Sequence, residues 1–211
     1  MRRVAADAKN TRQRILRYST VEFAAKGYDG ARVDSIARRC RLSKNMLYHY
    51  FHSKEGLFIT VLESAYETFR MHQRDFVVRH ADPIDAMRQL VDYTFEALLE
   101  NQHIIALLNT ANLHNGRHMR RSRVMRSLYD PLLDTIREIL QRGAATGAFR
   151  PNIDPLNLYL SLSALAYNYI SNQHTLKFAF GINFMTKPRR DAWLAHITDL
   201  ILTYCCANTR H

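Results

Sequence analysis

Apolar residues recur at three- and four-residue intervals along almost the whole chain, the period of helices with one buried stripe. Between residues 11 and 26, Ile15, Leu16, Val21, Phe23 and Ala24 hold apolar positions among arginines, and Gly27 ends the run as a helix C-terminus does. A short helix is expected over about 33–40, with Val33, Ile36 and Ala37 inward. After a break at Arg41-Leu42, Ser43 can cap a second short helix over 44–50, whose Leu47 and Phe51 face inward. His52-Ser53 is the next break. With Ser53 as cap and Glu55 in the first turn, where its charge suits the helix dipole, a long amphipathic helix runs to about Arg79.

Asp82-Pro83 opens a helix over about 83–100, and His103 to Leu113 forms another, ended by Asn115-Gly116. The basic stretch Arg117 to Arg126 leads into a long helix to about Thr146, closed by Gly147. Pro151 and Pro155 bracket a loop. Leu156 to about Thr175 is apolar nearly all round, as in a helix packed on both sides. Residues 178–188 read as irregular. A last helix over about 189–206 carries Trp193, Ile197, Leu200, Ile201 and Tyr204 along one stripe. No segment alternates as a strand and no repeat appears. The expected fold class is all-α with about nine helices.

Composition supports this and adds a functional clue. Of 211 residues, 47% are hydrophobic and 23% charged, globular proportions, and only 7 glycines and 5 prolines are present, too few for the turns of an all-β fold. The net charge is +11, which favours an anionic partner. Residues 1–60 hold 13 Lys and Arg against 5 Asp and Glu, a net of +8, whereas the other 151 carry 17 against 14, a net of +3. A basic head on a nearly balanced body is a two-part design: 1–60, then 61–211. Cys40, Cys205 and Cys206 make no disulfide framework, and a reduced, cytoplasmic protein is expected. The basic N-terminus lacks the apolar run of a signal peptide, and no apolar stretch is long enough to span a bilayer, so no membrane partner is expected.

Two short helices joined by a tight turn, in a +8 head, have the form of a helix-turn-helix over about 32–51. Its second helix must offer outward polar, short or aromatic residues to the major groove, and Lys44, Asn45, Met46, Tyr48 and His49 occupy those positions. Lysine can meet phosphate or guanine acceptors, asparagine can pair with adenine, and methionine and tyrosine can touch a thymine methyl. Val33, Ile36, Ala37, Leu42, Leu47 and Phe51 form the small core that holds the two helices crossed.

The blocks Thr11-Arg12-Gln13-Arg14-Ile15-Leu16, Phe23-Ala24-Ala25-Lys26-Gly27-Tyr28, Ile36-Ala37, Leu42-Ser43-Lys44 and Leu47-Tyr48-His49-Tyr50-Phe51-His52-Ser53-Lys54-Glu55-Gly56-Leu57 agree in order and spacing with one family. Over residues 10–70 the chain resembles the N-terminal domain of the TetR family of bacterial repressors. The resemblance implies an all-α homodimer that binds a near-palindromic site on double-stranded DNA, with a C-terminal body for a small-molecule effector. Tyr48 is similar to the family's recognition-helix tyrosine, Lys54 to its phosphate-contacting lysine, and Ser43 and Lys44 to its recognition-helix N-terminus. Three positions depart from the pattern: Ala31-Arg32 replaces the usual Ser or Thr cap of the second helix, Arg41 stands where glycine often sits, and Tyr50 replaces a histidine. Arg32 and Tyr50 therefore join the DNA-contact candidates. Leu158 to Thr175 also resembles the C-terminal type of the pyrimidine-responsive RutR regulator, which names no ligand.

Phe69, His72, Phe76, Leu108, Asn109, Asn112, Tyr167, His174 and Phe178 are candidates for an apolar effector cavity with polar anchors. Residues 156–178 with 189–206 fit a four-helix dimer seam, or 156–178 a core helix within one subunit. Arg117, Arg120, Arg121, Arg123 and Arg126 fit an anion or DNA contact, or a solvated face. His114 and His118 have i, i+4 spacing, but no flanking Cys or carboxylate completes a metal site, so no metal or cofactor is expected. The leading reading is a ligand-responsive repressor. The alternatives are the same fold controlled by a protein partner or constitutively bound, and a helical enzyme with a basic substrate-binding head. Against the enzyme stands the absence of a phosphate loop or of a nucleophile with its base.

Overall fold

The computed structural model describes residues 2–76, 82–125, 127 and 130–207, with side chains from residue 9 and not between 70 and 76. Among them are eleven helices: α1 (Arg2–Gly30), α2 (Val33–Cys40), α3 (Lys44–Phe51), α4 (Lys54–Phe76), α5 (Pro83–Glu100), α6 (Gln102–Leu113), α7 (Arg117–Arg120), α8 (Asp130–Ala145), α9 (Pro155–Ser171), α10 (Gln173–Phe180) and α11 (Lys187–Cys205). Apart from an isolated antiparallel bridge between Phe149 and Cys206, the described residues form no β-structure. The all-α expectation is met, with two helices more than expected.

The two extra helices have local causes. The basic stretch after Gly116 folds into the single-turn α7 before α8 begins at Asp130. The apolar run from residue 156 does not continue to Thr175, because Asn172 (φ −99, ψ 15) ends α9 and a new helix starts at Gln173. Of the stretch 178–188, residues 181–186 are irregular as expected, whereas 178–180 close α10 and 187–188 open α11. Asp82 and Ser53 start their helices as expected, accepting from Ile84 N at 2.8 Å and Gly56 N at 2.9 Å, and Asp154 caps α9, accepting from Leu156 N at 2.8 Å. Gly27 (φ 66, ψ −177) interrupts α1, so its regular part ends where the sequence placed the stop.

The helices gather into two compact units. One comprises Met1–Thr68 and His103–Leu128, and the other Phe69–Gln102 and Tyr129–His211; α4 passes from the first into the second. In the first unit α1 packs on α2 and α2 on α3. Its core is built from Ile15, Phe23, Ile36, Leu47 and Phe58, with the Phe23 and Phe58 rings edge-on at 4.9 Å. Val21, expected on the apolar stripe, is exposed.

In the second unit α5 packs on α8, α9 and α11, and α9 also contacts α8 and α11. Tyr169 of α9 links its neighbours: its ring stacks on Trp193 of α11 at 5.1 Å and meets Phe95 of α5 at 5.9 Å. The α11 stripe divides. Ile197 and Ile201 are buried, whereas Leu200 and Tyr204 are exposed. α9 divides likewise, with Leu158, Leu162, Tyr169 and Ile170 inward and Leu156 and Leu160 outward.

Candidate nucleic-acid interface

The α2–α3 pair is fixed by its own small core. Val33, Ile36, Ala37, Leu47 and Phe51 are buried, with Leu42 half-buried. Arg41 takes the left-handed conformation (φ 54, ψ 47) anticipated where glycine is usual, and its N–H closes α2 on Arg38 O at 3.1 Å while Leu42 N–H reaches Ala37 O at 3.0 Å. Ser43 then caps α3, its Oγ accepting from Met46 N at 3.2 Å. Two tight termini, one at each side of Leu42, thus set the crossing of the two helices.

The polar row of α3 stands as expected. Lys44, Asn45, Met46 and His49 are exposed, and Tyr48 and Tyr50 half-buried, with the Tyr50 ring 5.8 Å from that of His49. Lys44 is paired across the turn with Asp34 of α2 at 3.2 Å, a partner the sequence did not single out. Exposed Arg12 of α1 lies over the ring of Phe51, 5.5 Å from its centroid. Lys54 opens α4, donating to Asp29 O at 3.2 Å with its ammonium 5.0 Å from the Tyr28 ring centroid.

Arg32 is exposed and makes no side-chain cap for α2. Glu22 of α1 serves instead: it is 2% exposed, accepts from Arg32 N and from Ser35 Oγ, each at 3.4 Å, and pairs with Lys26 at 2.7 Å. Burial by itself raises this carboxyl, but Lys26, the Arg32 amide and Arg39 together outweigh it and hold it below the ordinary glutamate value. A buried glutamate amid arginines was the available signal, and helical periodicity alone placed it on no face.

The effector candidates are spread over α4, α6, α9 and α10. Phe69 is buried in the second unit; Leu108 and Asn109 are half-buried and Asn112 exposed on α6 in the first. Tyr167 of α9 is half-buried, and burial pushes its phenol up. His174 and Phe178 lie exposed on α10, Phe178 at 92%. His72 and Phe76 are on α4, their side chains outside the described residues. Two concavities lie elsewhere. One of about 440 Å³ is lined by α5 and α11 residues including Arg88, Asp92 and Asp199, and one of about 320 Å³ includes Arg137, Arg150 and Asn152.

His114 and His118 each face a carboxylate brought by another helix: Asp29 at 3.3 Å and Glu55 at 3.3 Å. No three potential ligands converge on a metal position among the described residues. Arg126 of the arginine stretch lies outside them.

Known proteins share this arrangement. Residues 15–61 match the family "Bacterial regulatory proteins, tetR family", and residues 83–201 the "Tetracyclin repressor-like, C-terminal domain". The HTH-type transcriptional repressor NicS of Pseudomonas putida is 35% identical over 198 residues, which cover 94% of this chain and 93% of that protein. The crystal structure of a TetR transcriptional regulator from Chloroflexus aurantiacus has the same fold, with a TM-score of 0.73 at 22% identity over 95% of this chain and 98% of that one. So does AibR in complex with isovaleryl coenzyme A and operator DNA, with a TM-score of 0.64 at 17% identity over 90% and 97%. With both of its parts matched and a relative aligned almost end to end, the chain belongs to the TetR family of bacterial DNA-binding transcriptional regulators.

Proposed function

We propose that the protein is a homodimeric repressor that grips a near-palindromic operator through α3 and releases it when a small molecule binds. Residues 1–60 serve as the DNA-binding part, and residues 61–211 take dimerisation and effector binding. The observation that carries the reading is the row Lys44, Asn45, Met46, Tyr48 and His49, exposed or half-buried on a short helix capped by Ser43 and pinned by Leu47 and Phe51. Lys54 and Arg32 flank that row as phosphate contacts, and Tyr50 sits at its end. NicS is named a repressor, and AibR was crystallised with an acyl coenzyme A and operator DNA, which supports a regulator that answers to a small molecule. No described helix is long and apolar enough to cross a membrane, and a protein that reads the chromosome works in the cytoplasm.

Exposed Leu156 and Leu160 on α9 and Leu200 and Tyr204 on α11 suit a seam with a second copy. A dimer places two α3 helices about 34 Å apart, one turn of duplex. α4 runs from the unit that holds α3 into the other, so an effector acts by favouring one tilt of α4 over another, as far as its differential affinity for the two allows.

Operator titrations at several salt concentrations test the DNA surface. Asn45→Ala and Tyr48→Ala change base preference by about 1–3 kcal/mol, and Lys54→Ala weakens all sequences alike. Equal losses on operator and random DNA for all three would place the recognition surface elsewhere.

A further inference from the structure

The described arginines of the stretch after Gly116 are exposed, yet the stretch is tied to the rest of its unit. It belongs to the same compact unit as α2 and α3, and it grips α4 at two points. Arg121 pairs with Glu55 Oε2, and Ser122 Oγ donates to Glu63 Oε1 at 2.5 Å. Glu55 and Glu63 are about two helical turns apart and so share one face of α4. Between them lies an unusual group. His118 is 0% exposed, its ring 4.4 Å from that of Tyr28 and 5.0 Å from that of Phe58.

The polar environment of His118 defines its state. Arg117 Nε donates to Nε2 at 3.3 Å, which leaves the ring proton on Nδ1. Glu55 Oε1 lies 3.3 Å from Nδ1, so the buried N–H faces a carboxylate. Burial first, then the Arg117 cation, hold the imidazole below its ordinary value, against the pull of Glu55. Tyr28 carries the other side of this arrangement: the Lys54 ammonium and the Arg117 guanidinium lie 5.0 and 5.6 Å from its ring centroid.

We propose that His118 and Arg121 are positioning residues for DNA binding: by holding Glu55 they fix the first turn of α4, and with it the Lys54 cation beside the recognition helix. The inference rests on the reading that α3 and Lys54 meet DNA. It gives residues 117–122 a task that neither their charge nor their spacing announced. An arginine here acts on the operator through a glutamate, not through a phosphate.

Charge alone predicts the opposite of positioning for one variant, which makes it the test. Glu55→Gln removes a carboxylate next to Lys54, so electrostatics without positioning would tighten DNA binding. Positioning has the full-length dimer bind operator about tenfold more weakly. Its log–log salt slope also shrinks by about one phosphate's worth, because Lys54 is no longer held. His118→Leu produces the same loss of slope, and His118→Gln, which retains a neutral N–H donor, restores it. In a Lys54→Ala background Glu55→Gln changes the slope no further. Binding by Glu55→Gln as tight as the parent's, or tighter, at an unchanged slope overturns the proposal. Should Lys54→Ala by itself leave the slope untouched, the DNA surface is misread, and the proposal falls with that reading.

Discussion

Glu22 and Arg32 are joined by a hydrogen bond from the Arg32 N–H to Glu22 Oε1 at 3.4 Å, so the first helix caps the second. A side chain that caps its own helix can be replaced locally. This cap instead ties the orientation of α2 to that of α1, and α2 in turn carries the turn that aims α3.

Replacing Glu22 by glutamine should cost about 1–3 kcal/mol near neutral pH, since buried donors lose a charged acceptor. The pH dependence has a definite sign. A carboxyl whose folded value lies below its unfolded one contributes stability above the ordinary glutamate value, about 4.3, and that stability is lost as pH falls through the lowered folded value. Urea unfolding of parent and Glu22→Gln protein across this range should therefore converge at acid pH. A gap that stays constant down to the acid limit would show that the carboxylate charge is not the source.

The left-handed turn residue offers a gain. Arg41 at φ 54 bears the steric cost of a side chain there, about 1–2 kcal/mol, and glycine would remove it. Part of that returns as extra freedom of the unfolded chain, so Arg41→Gly should stabilise by up to about 1 kcal/mol. Chemical denaturation measures it, and a clear destabilisation would mean that the arginine side chain holds the turn.

Gly56 is needed for space. A Cβ there would come within 2.4 Å of Phe51 O, a backbone atom that cannot swing aside. Gly56→Ala must pry the end of α3 from the start of α4, at about 1–3 kcal/mol. Operator affinity should drop by more than the stability loss predicts, because the recognition helix itself is displaced. Circular dichroism and titration on the same samples separate the two effects.

Leu200 and Tyr204 are 42% and 47% exposed, apolar surface of the kind a seam covers. Leu200→Glu should split a dimer built on α9 and α11 by burying an unpaired charge, and palindrome affinity should fall steeply as each head acts alone. Tyr204→Glu adds the loss of Arg150, whose guanidinium lies 3.9 Å from the ring centroid, so Leu200 is the cleaner probe. Sedimentation of intact dimers for both variants would move the seam to another face.

What the sequence showed and what it hid divide along one physical line. Helix spans such as Val33–Cys40 and Pro83–Glu100 follow from local periodicity and from caps within the segment, so they were readable. The recognition row was readable too, since Leu47 and Phe51 fix the inward side of α3 and thereby its outward side. The Glu22 cap was hidden because its partners sit on another helix. His114 and His118 looked like a pair without carboxylates, yet folding supplies Asp29 and Glu55 from distant turns. The break at Asn172 carried no glycine or proline signal, and the division of α9 and α11 into inward and outward apolar residues depends on which neighbour each face meets.

α10 buries none of its eight residues. Isolated helices that short are marginal in water, so α10 leans on its junctions with the chain and on the Gln173–Gln102 hydrogen bond at 3.2 Å. Its amides should exchange with solvent through local opening long before the buried turns of α9 and α11 do. In time rather than space, residues 173–180 should then be the fast element of the second unit, the first to let go in an exchange measurement.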